Sequence, residues 1–229
     1  MSDLFTAAPP SVDLRGIRVL LGGHPAVLDV DLALAPGAVT VVAGPNGAGK
    51  STLLEVIAGT RLPTAGIRQV TGTVALVPQR AAVSDLLPIT VRDVVAVGTW
   101  GRLGPWRRTD AAARAAVAAA LGRMDVADLA RRPYGALSGG QRQRALLAQG
   151  VVARADVLLL DEPTTGLDAV SGDLIRAAMA GEAERGAVVV CVSHDPAVLA
   201  AADRVVTLGE GVVVADTGVV APALRKAAR

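Results

Sequence analysis

A glycine-rich run beginning at position 44 has the residue types of a phosphate-binding loop. Gly44, Gly49, Lys50 and Ser51 match the pattern G-x-x-x-x-G-K-[ST] and lie between the β-branched run 40–43 and helix-like sequence. Backbone N–H groups of such a loop close around phosphate oxygens, and the following helix N-terminus adds partial positive charge. We expect Lys50 to reach the β and γ phosphates and the Ser51 hydroxyl to ligate Mg²⁺. The expected binding residues are Gly44, Pro45, Asn46, Gly47, Ala48, Gly49, Lys50, Ser51 and Thr52.

Two adjacent acids, Asp161 and Glu162, directly follow the apolar run 157–160. At the end of a strand, one carboxylate can face a phosphate site while the other reaches a nearby water. We expect Asp161 to hold the Mg²⁺ shell and Glu162 to orient or deprotonate an attacking water. Taken alone, the pair also fits a solvated strand end with a turn before Pro163.

The pentapeptide Leu137-Ser138-Gly139-Gly140-Gln141 precedes the helix-like segment 142–152. A serine hydroxyl and two glycine amides at a helix N-terminus can form a second anion site. An ordinary helix N-cap at Ser138 explains the same residues without any ligand. Both interpretations follow from the residues alone.

Three apolar runs indicate the elements that position these groups. The runs 40–43, 157–160 and 187–193 are apolar except for Thr40 and Ser193, which is typical of interior strands of a parallel sheet. Each is followed by a polar turn and helix-like sequence, and ligands of open α/β sheets bind at the carboxyl ends of the strands. The segment 12–34 around Gly22-Gly23 and the segment 205–215 are predicted antiparallel hairpins, with His24 in a loop. The sequence therefore predicts one site at the carboxyl edge of a mixed α/β sheet.

The stretch from about Gln79 to Gln149 differs in being alanine-rich, and it predicts helices at 111–121 and 142–152. No internal repeat or low-complexity linker separates it from the rest. We therefore expect a single domain over 1–229, in which a helical subdomain at about 80–150 is inserted into the sheet core.

Composition excludes several classes of protein. The 229 residues are 52% hydrophobic and 19% charged, which is too apolar for disorder, and a net charge of +2 is too small to argue for nucleic acid binding. No stretch approaches the roughly 18 consecutive apolar residues of a spanning helix. The first ten residues lack the pattern of a secretion signal, and the single Cys191 excludes an internal disulfide. A chain without its own membrane span is expected.

The pentapeptide at Ser138 resembles the signature of ATP-binding cassette (ABC) ATPases, and it stands 23 residues before Asp161, as in that family. Gln79, after Val77-Pro78, is similar to the glutamine that contacts Mg²⁺ or water and senses a membrane partner. Thr165-Gly166-Leu167-Asp168 resembles the D-loop at a dimer interface. His194, 32 residues after Glu162, is similar to the switch histidine that contacts the γ-phosphate.

The resemblance extends from about Val12 to Ala215 and implies an α/β P-loop NTPase of the ABC ATPase type. That fold has a mixed sheet core, an antiparallel β subdomain and an inserted α-helical subdomain. It also implies a head-to-tail homodimer that sandwiches two ATP molecules with Mg²⁺, in which Ser138, Gly139, Gly140, Gln141 and Asp168 of one copy complete the site of the other. Catalysis would involve Glu162, His194, Lys50 and Gln79, and the metal would be held by Ser51, Gln79 and Asp161.

The resemblance further implies a separate membrane permease, so the chain is expected to be cytoplasmic and peripheral on the inner face of the cell membrane. A solute-binding protein would be an indirect partner. The family docks its permease between Gln79 and Gly104, where Ser84–Val91, Trp100 and the nearby Trp106 fit either a docking groove or the core of the subdomain.

The segments 77–80 and 87–95, with Gly98, resemble the zinc and manganese importer branch. We therefore expect import of a divalent metal. Siderophore or haem uptake, efflux, and a soluble ABC ATPase without a permease remain as alternatives.

One position departs from the family pattern. An aromatic residue that stacks on adenine usually lies about 25 positions before the phosphate-binding loop, and here that place holds Leu20 or Leu21. Two expectations follow: base binding is weaker or less selective than in the family, or an aliphatic contact replaces the stacking.

Overall fold

The computed structural model describes residues 11–79, 88–103 and 110–218. In chain order the strands are β1 (Ser11–Leu21), β2 (His24–Leu34), β3 (Ala38–Ala43), β4 (Ala65–Thr71), β5 (Val74–Val77), β6 (Val157–Asp161), β7 (Val188–Val192), β8 (Arg204–Gly209) and β9 (Val212–Asp216). The helices are α1 (Lys50–Ala58), α2 (Val91–Val97), α3 (Trp100–Leu103), α4 (Ala111–Arg123), α5 (Gly139–Ala153), α6 (Ala169–Glu184) and α7 (Pro196–Ala200), and Tyr134–Ala136 forms a 3-10 turn.

The main sheet has six strands in the order β5-β6-β7-β3-β8-β9. The first five are parallel, and β9 returns antiparallel to β8 in the C-terminal hairpin. In register, Val41 of the central strand lies between Cys191 and Val205. The carboxyl ends of β3, β6 and β7 therefore meet at one edge of the sheet, as the apolar runs predict.

A second sheet is antiparallel and has the order β2-β1-β4. Its hairpin confirms the prediction for 12–34, with Val12 opposite Leu34 and Leu21 opposite His24. His24 was expected in a loop, but it begins β2. Strand β4 completes this sheet, and its exposed residues give it little signal in the sequence.

Two hydrophobic cores lie on opposite faces of the main sheet, because successive side chains of a strand point to opposite faces. Val157 and Leu159 of β6 join the core shared with α1 and the antiparallel sheet. Leu158 and Leu160 join the other core, which includes side chains of α2, α4, α5 and α6. Both faces are covered, which explains why these strands are apolar throughout.

The part of the chain between β5 and β6 is helical where it is described. Thr90 caps α2 through a reciprocal capping box with Asp93. A Cβ atom at Gly98 would lie 2.1 Å from the Gln149 carbonyl oxygen, and one at Gly150 would lie 2.4 Å from a Val77 methyl group. Glycine therefore allows α2 to approach α5, and α5 to approach the main sheet. Among the helices described, none is long and apolar enough to cross a bilayer.

The antiparallel sheet is tied to α1 by one arginine of β4. The Arg68 guanidinium donates to the carbonyl oxygens of Val56 at 2.7 Å and Ile57 at 2.6 Å. These carbonyls belong to the last turn of α1, where the regular hydrogen bonds of the helix run out. The Gly59 N–H also donates to the Val56 carbonyl oxygen, at 3.0 Å. Arg68 therefore closes the helix whose first turn begins at the glycine-rich loop 44–49.

Candidate active site

The glycine-rich loop is held in place by close backbone contacts on two sides. Gly44 has φ 135°, and a Cβ atom there would lie 2.1 Å from the Leu208 carbonyl oxygen. Gly49 has φ 94°, and its Cβ would lie 2.1 Å from the carbonyl oxygen of Ala26. Only glycine fits at either position. The loop is thereby fixed between β8 and β2 at the start of α1.

Lys50 lies with its ammonium group inside this loop and is only 8% exposed. Its Nζ donates to the carbonyl oxygens of Gly44 at 2.9 Å and Pro45 at 2.8 Å. An ammonium group has three N–H donors, so these two bonds leave one for an anion. The charge at the mouth of the loop is positive and is reinforced by the N-terminus of α1.

Ser51 and Asp161 face each other across the loop. The Ser51 hydroxyl donates to Asp161 Oδ1 at 3.1 Å. Burial raises the pKa of the Asp161 carboxyl, and the charges of Glu162 and Glu55 raise it further, while the Ser51 hydrogen bond and Lys50 act in the opposite direction. A half-buried carboxylate beside a hydroxyl is an oxygen donor pair of the kind that Mg²⁺ takes together with phosphate oxygens and water. The two residues fit a magnesium ion.

The Glu162 carboxylate is held on both of its oxygens. His194 Nδ1 lies 3.1 Å from Oε1 and 3.0 Å from Oε2, and the Thr165 hydroxyl donates to Oε2 at 3.0 Å. The Glu162 N–H donates to the Val192 carbonyl oxygen at 2.9 Å, which extends the pairing with β7 by one residue. Glu162 has φ 47°, a left-handed conformation that is costly for a residue with a side chain and is common at functional sites.

A cavity of about 550 Å³ lies beside these groups. Its wall is formed by Leu21, Ala26, Asn46, Gly47, Gly49, Lys50, Ser51, Thr52, Gln79, Glu162, Thr165, Val192 and His194. The structure thus brings together most of the predicted phosphate-binding loop, the predicted base, the predicted switch histidine and Gln79. Asp161 reaches the cavity through Ser51.

Only one of the two candidates for contact with the nucleotide base, Leu20 and Leu21, lies in the cavity wall. Leu21 contributes to it, whereas Leu20 lies outside it and is 48% exposed. The two side chains are neighbours on β1 and point to opposite faces of the strand.

The predicted signature residues lie outside this wall. Ser138 caps α5, where its hydroxyl accepts from the Gln141 N–H at 3.4 Å and its own N–H donates to Gln141 Oε1 at 3.0 Å. Ser138 and Gly139 are exposed, and Gly140 is partly exposed. Asp168 likewise caps α6 through the Ser171 N–H at 2.7 Å, and this hydrogen bond is the main cause that lowers the pKa of the Asp168 carboxyl. Within one copy, these groups and the cavity are separate.

Part of the predicted docking region lies outside the described residues, namely Ser84–Leu87 and Trp106. Trp100 begins α3 and is 48% exposed. The sequence did not indicate the contact between Thr165 and Glu162. Their separation by three residues is its only signal, and many turns share that spacing.

Comparison with known proteins places the chain in a family. Residues 27–165 match the family described as ABC transporter. The hemin import ATP-binding protein HmuV of Streptomyces coelicolor is 42% identical over 212 residues, covering 86% of this chain and 74% of that protein. The zinc import ATP-binding protein ZnuC of Alkalilimnicola ehrlichii is 39% identical, covering 91% and 78%. The manganese transport system ATP-binding protein MntB of Bacillus subtilis is 35% identical, covering 80% and 77%.

Solved structures agree with this assignment. A metal-chelate type ABC transporter in an inward-facing conformation is 27% identical with a TM-score of 0.78, covering 89% of this chain and 81% of that one. An ATP-binding cassette in a dimeric post-hydrolysis state, bound to ADP and Pi, is 25% identical with a TM-score of 0.80, covering 90% and 97%. The chain has the α/β P-loop NTPase fold and belongs to the ABC transporter family.

Proposed function

We propose that this chain is the ATP-hydrolysing subunit of an ABC importer, which works as a head-to-tail pair of copies and powers a separate membrane permease. The observation that supports it most directly is the cavity shared by Lys50, Ser51 and Glu162, beside Asp161. The Lys50 ammonium group, the proposed metal ligands and the proposed base lie together where the parallel strands end. This is the set of groups that phosphoryl transfer to water requires.

The chemistry follows from the position of each group. Lys50 and the loop amides bind the β and γ phosphates, and Ser51, Asp161 and Gln79 are the residues that would hold Mg²⁺. When bound, this ion supplies positive charge to the phosphate oxygens. Glu162 accepts a proton from the attacking water while the water oxygen bonds to the γ phosphorus. The bond to the β–γ bridging oxygen breaks, and ADP and inorganic phosphate leave.

His194 lies on the exposed side of Glu162, with Nδ1 at the carboxylate. This leaves Nε2 for a contact with the γ phosphate. We propose that His194 makes that contact and thereby links the state of the nucleotide to the position of the base.

A second copy would complete the site. Ser138 and Gly139 are exposed at the N-terminus of the 15-residue helix α5, outside the cavity wall of their own copy. Backbone N–H groups at such a position suit the γ phosphate of a nucleotide held by another chain. Asp168, at the N-terminus of α6, would lie at the same interface. The dimeric cassette among the similar structures supports this arrangement.

Substitution of Glu162 by glutamine tests the proposal. The amide keeps the shape of the side chain but cannot accept the proton, so we expect ATP turnover to fall at least about 100-fold while ATP binding persists. The variant should accumulate as a dimer in MgATP, measured by size-exclusion chromatography. Glu184→Gln changes an exposed glutamate at the end of α6 and is the matched control. Near-normal hydrolysis by Glu162→Gln would remove Glu162 as the base.

For the transported substrate we propose a divalent metal, zinc or manganese. The chain would bind its permease at the inner face of the membrane, and a solute-binding protein would act on the outer side. The relatives named for zinc and manganese import support this substrate. The relative named for hemin import favours a second candidate, haem uptake. Deletion of the gene, complemented with the native chain or with Glu162→Gln, separates them. Loss of radioactive zinc or manganese uptake supports the first, and loss of hemin uptake alone supports the second.

A further inference from the structure

Two hydrogen bonds from Thr165 to Glu162 close the turn that follows β6. The Thr165 N–H donates to the Glu162 carbonyl oxygen at 3.4 Å, and the Thr165 hydroxyl donates to Glu162 Oε2 at 3.0 Å. One residue thus contacts both the backbone and the carboxylate of the proposed base. Its resemblance to a D-loop residue assigns it to a dimer interface and gives it no part in the reaction.

The carboxylate of a glutamate turns about three side-chain bonds, so a base at this position must be held in one orientation. His194 contacts it, but His194 follows a different strand, β7, and its side chain is 68% exposed. Thr165 is anchored differently, because its backbone belongs to the same turn as Glu162 and its β-branched side chain has few rotamers. Thr165 is therefore the contact of the Glu162 carboxylate that comes from the same turn and does not depend on where His194 lies.

We propose that Thr165 is a positioning residue for ATP hydrolysis, which holds the Glu162 carboxylate toward the water site through its hydroxyl donor. This inference rests on the proposed function, since it requires Glu162 to be the base. A hydroxyl that donates its proton to Oε2 still has two lone pairs. Because Thr165 is part of the cavity wall, we infer that these lone pairs accept a hydrogen bond from the attacking water when it lies beside the carboxylate.

The test uses Thr165→Val, which keeps the branched shape and removes the donor, and Thr165→Ser, which keeps the donor. Thr165 is exposed, so neither change should unfold the chain, and thermal unfolding checks this. For Thr165→Val we expect kcat for ATP to fall roughly tenfold with KM within about twofold, because a hydrogen bond to a charged group is lost and binding groups are unchanged. Thr165→Ser should stay within about threefold of the native kcat.

A double substitution shows whether the hydroxyl acts through Glu162. In Glu162→Gln, adding Thr165→Val should leave the residual turnover unchanged, since the carboxylate it positions is already gone. A further tenfold fall would mean that Thr165 acts independently of Glu162 and would overturn the inference. Native kcat in Thr165→Val, a change confined to KM, or no recovery in Thr165→Ser would also overturn it.

These outcomes remain distinct from failure of the proposed function. If Glu162→Gln hydrolyses ATP normally, the assignment of the base is wrong whatever Thr165 does. If Glu162→Gln is inactive and Thr165→Val is fully active, only the role of Thr165 is wrong.

Discussion

Leu21 offers a direct test of how the nucleotide base is bound. It is one of the two residues at the position where the family resemblance predicts a contact with adenine, it lines the cavity, and 39% of its surface is exposed. Burying a whole leucine side chain is worth about 1.5–3 kcal/mol, so covering the exposed part contributes roughly 1 kcal/mol. Stacking of an aromatic ring on a base is worth about 1–3 kcal/mol.

We therefore expect Leu21→Tyr to tighten binding by about 1 kcal/mol, or roughly fivefold in Kd. Leu21→Ala should weaken binding by a similar factor, because it removes the aliphatic contact. Isothermal titration with ADP measures both without interference from hydrolysis.

Leu20→Tyr is the matched control. It places the same ring one residue earlier on β1, outside the cavity wall, and should leave Kd within about twofold, since a ring there covers no base. An unchanged or larger Kd for Leu21→Tyr, or an equal gain at Leu20, would refute the placement of adenine against Leu21.

Three further changes test the stability of the elements that hold the site. Arg68→Ala removes two hydrogen bonds to the end of α1, and we expect the free energy of unfolding in urea to fall by about 2 kcal/mol. Arg18→Ala, which breaks an exposed ion pair, is the control and should lower it much less. Asp161→Asn removes a carboxylate whose pKa is raised by burial, so the Mg²⁺-free chain should become more stable at neutral pH. This gain in stability should vanish as pH falls below the unfolded pKa of aspartate. An equal gain at all pH values, measured by thermal unfolding, would contradict this. Hydrogen bonds from the Thr73 backbone and side chain lower the pKa of Asp156. The stability that this carboxylate contributes should therefore be present above the unfolded pKa of aspartate and be lost as pH falls through its folded pKa. Asp156→Asn should remove that pH dependence from the free energy of unfolding.

Much of the fold follows from residue pattern. The strands β3, β6 and β7 were predicted because both faces of a covered parallel strand are apolar, and the hairpins because glycines interrupt regular alternation. The strands β4 and β5 were not predicted. Ala65–Thr71 is mostly exposed, and Val74–Val77 is only four residues long, so both depend on pairing with β1 and β6 rather than on their own sequence.

In the candidate site, too, some features could be predicted from the sequence and others could not. The placement of Gly44, Lys50 and Ser51 in one glycine-rich turn that leads into α1 was predictable, because the pattern fixes both the residue types and their spacing. The choice between Leu20 and Leu21 required the pleat of β1, which decides the side chain that faces the cavity. The contact of Thr165 with Glu162 required the shape of one turn, which spacing alone does not determine.

The left-handed backbone at Glu162 allows two neighbouring acids, Asp161 and Glu162, to lie beside the same cavity. Along β6, odd-numbered side chains face α1 and even-numbered ones face the opposite core, so Asp161 points toward Ser51 by parity alone. A regular strand would turn Glu162 to the other side of the sheet. Because Glu162 has φ 47°, the alternation of side-chain direction along β6 ends at Glu162, and its carboxylate reaches the same cavity. The end of the strand therefore lets two adjacent acids face one cavity, and inserting one residue between them would separate the proposed metal ligand from the proposed base.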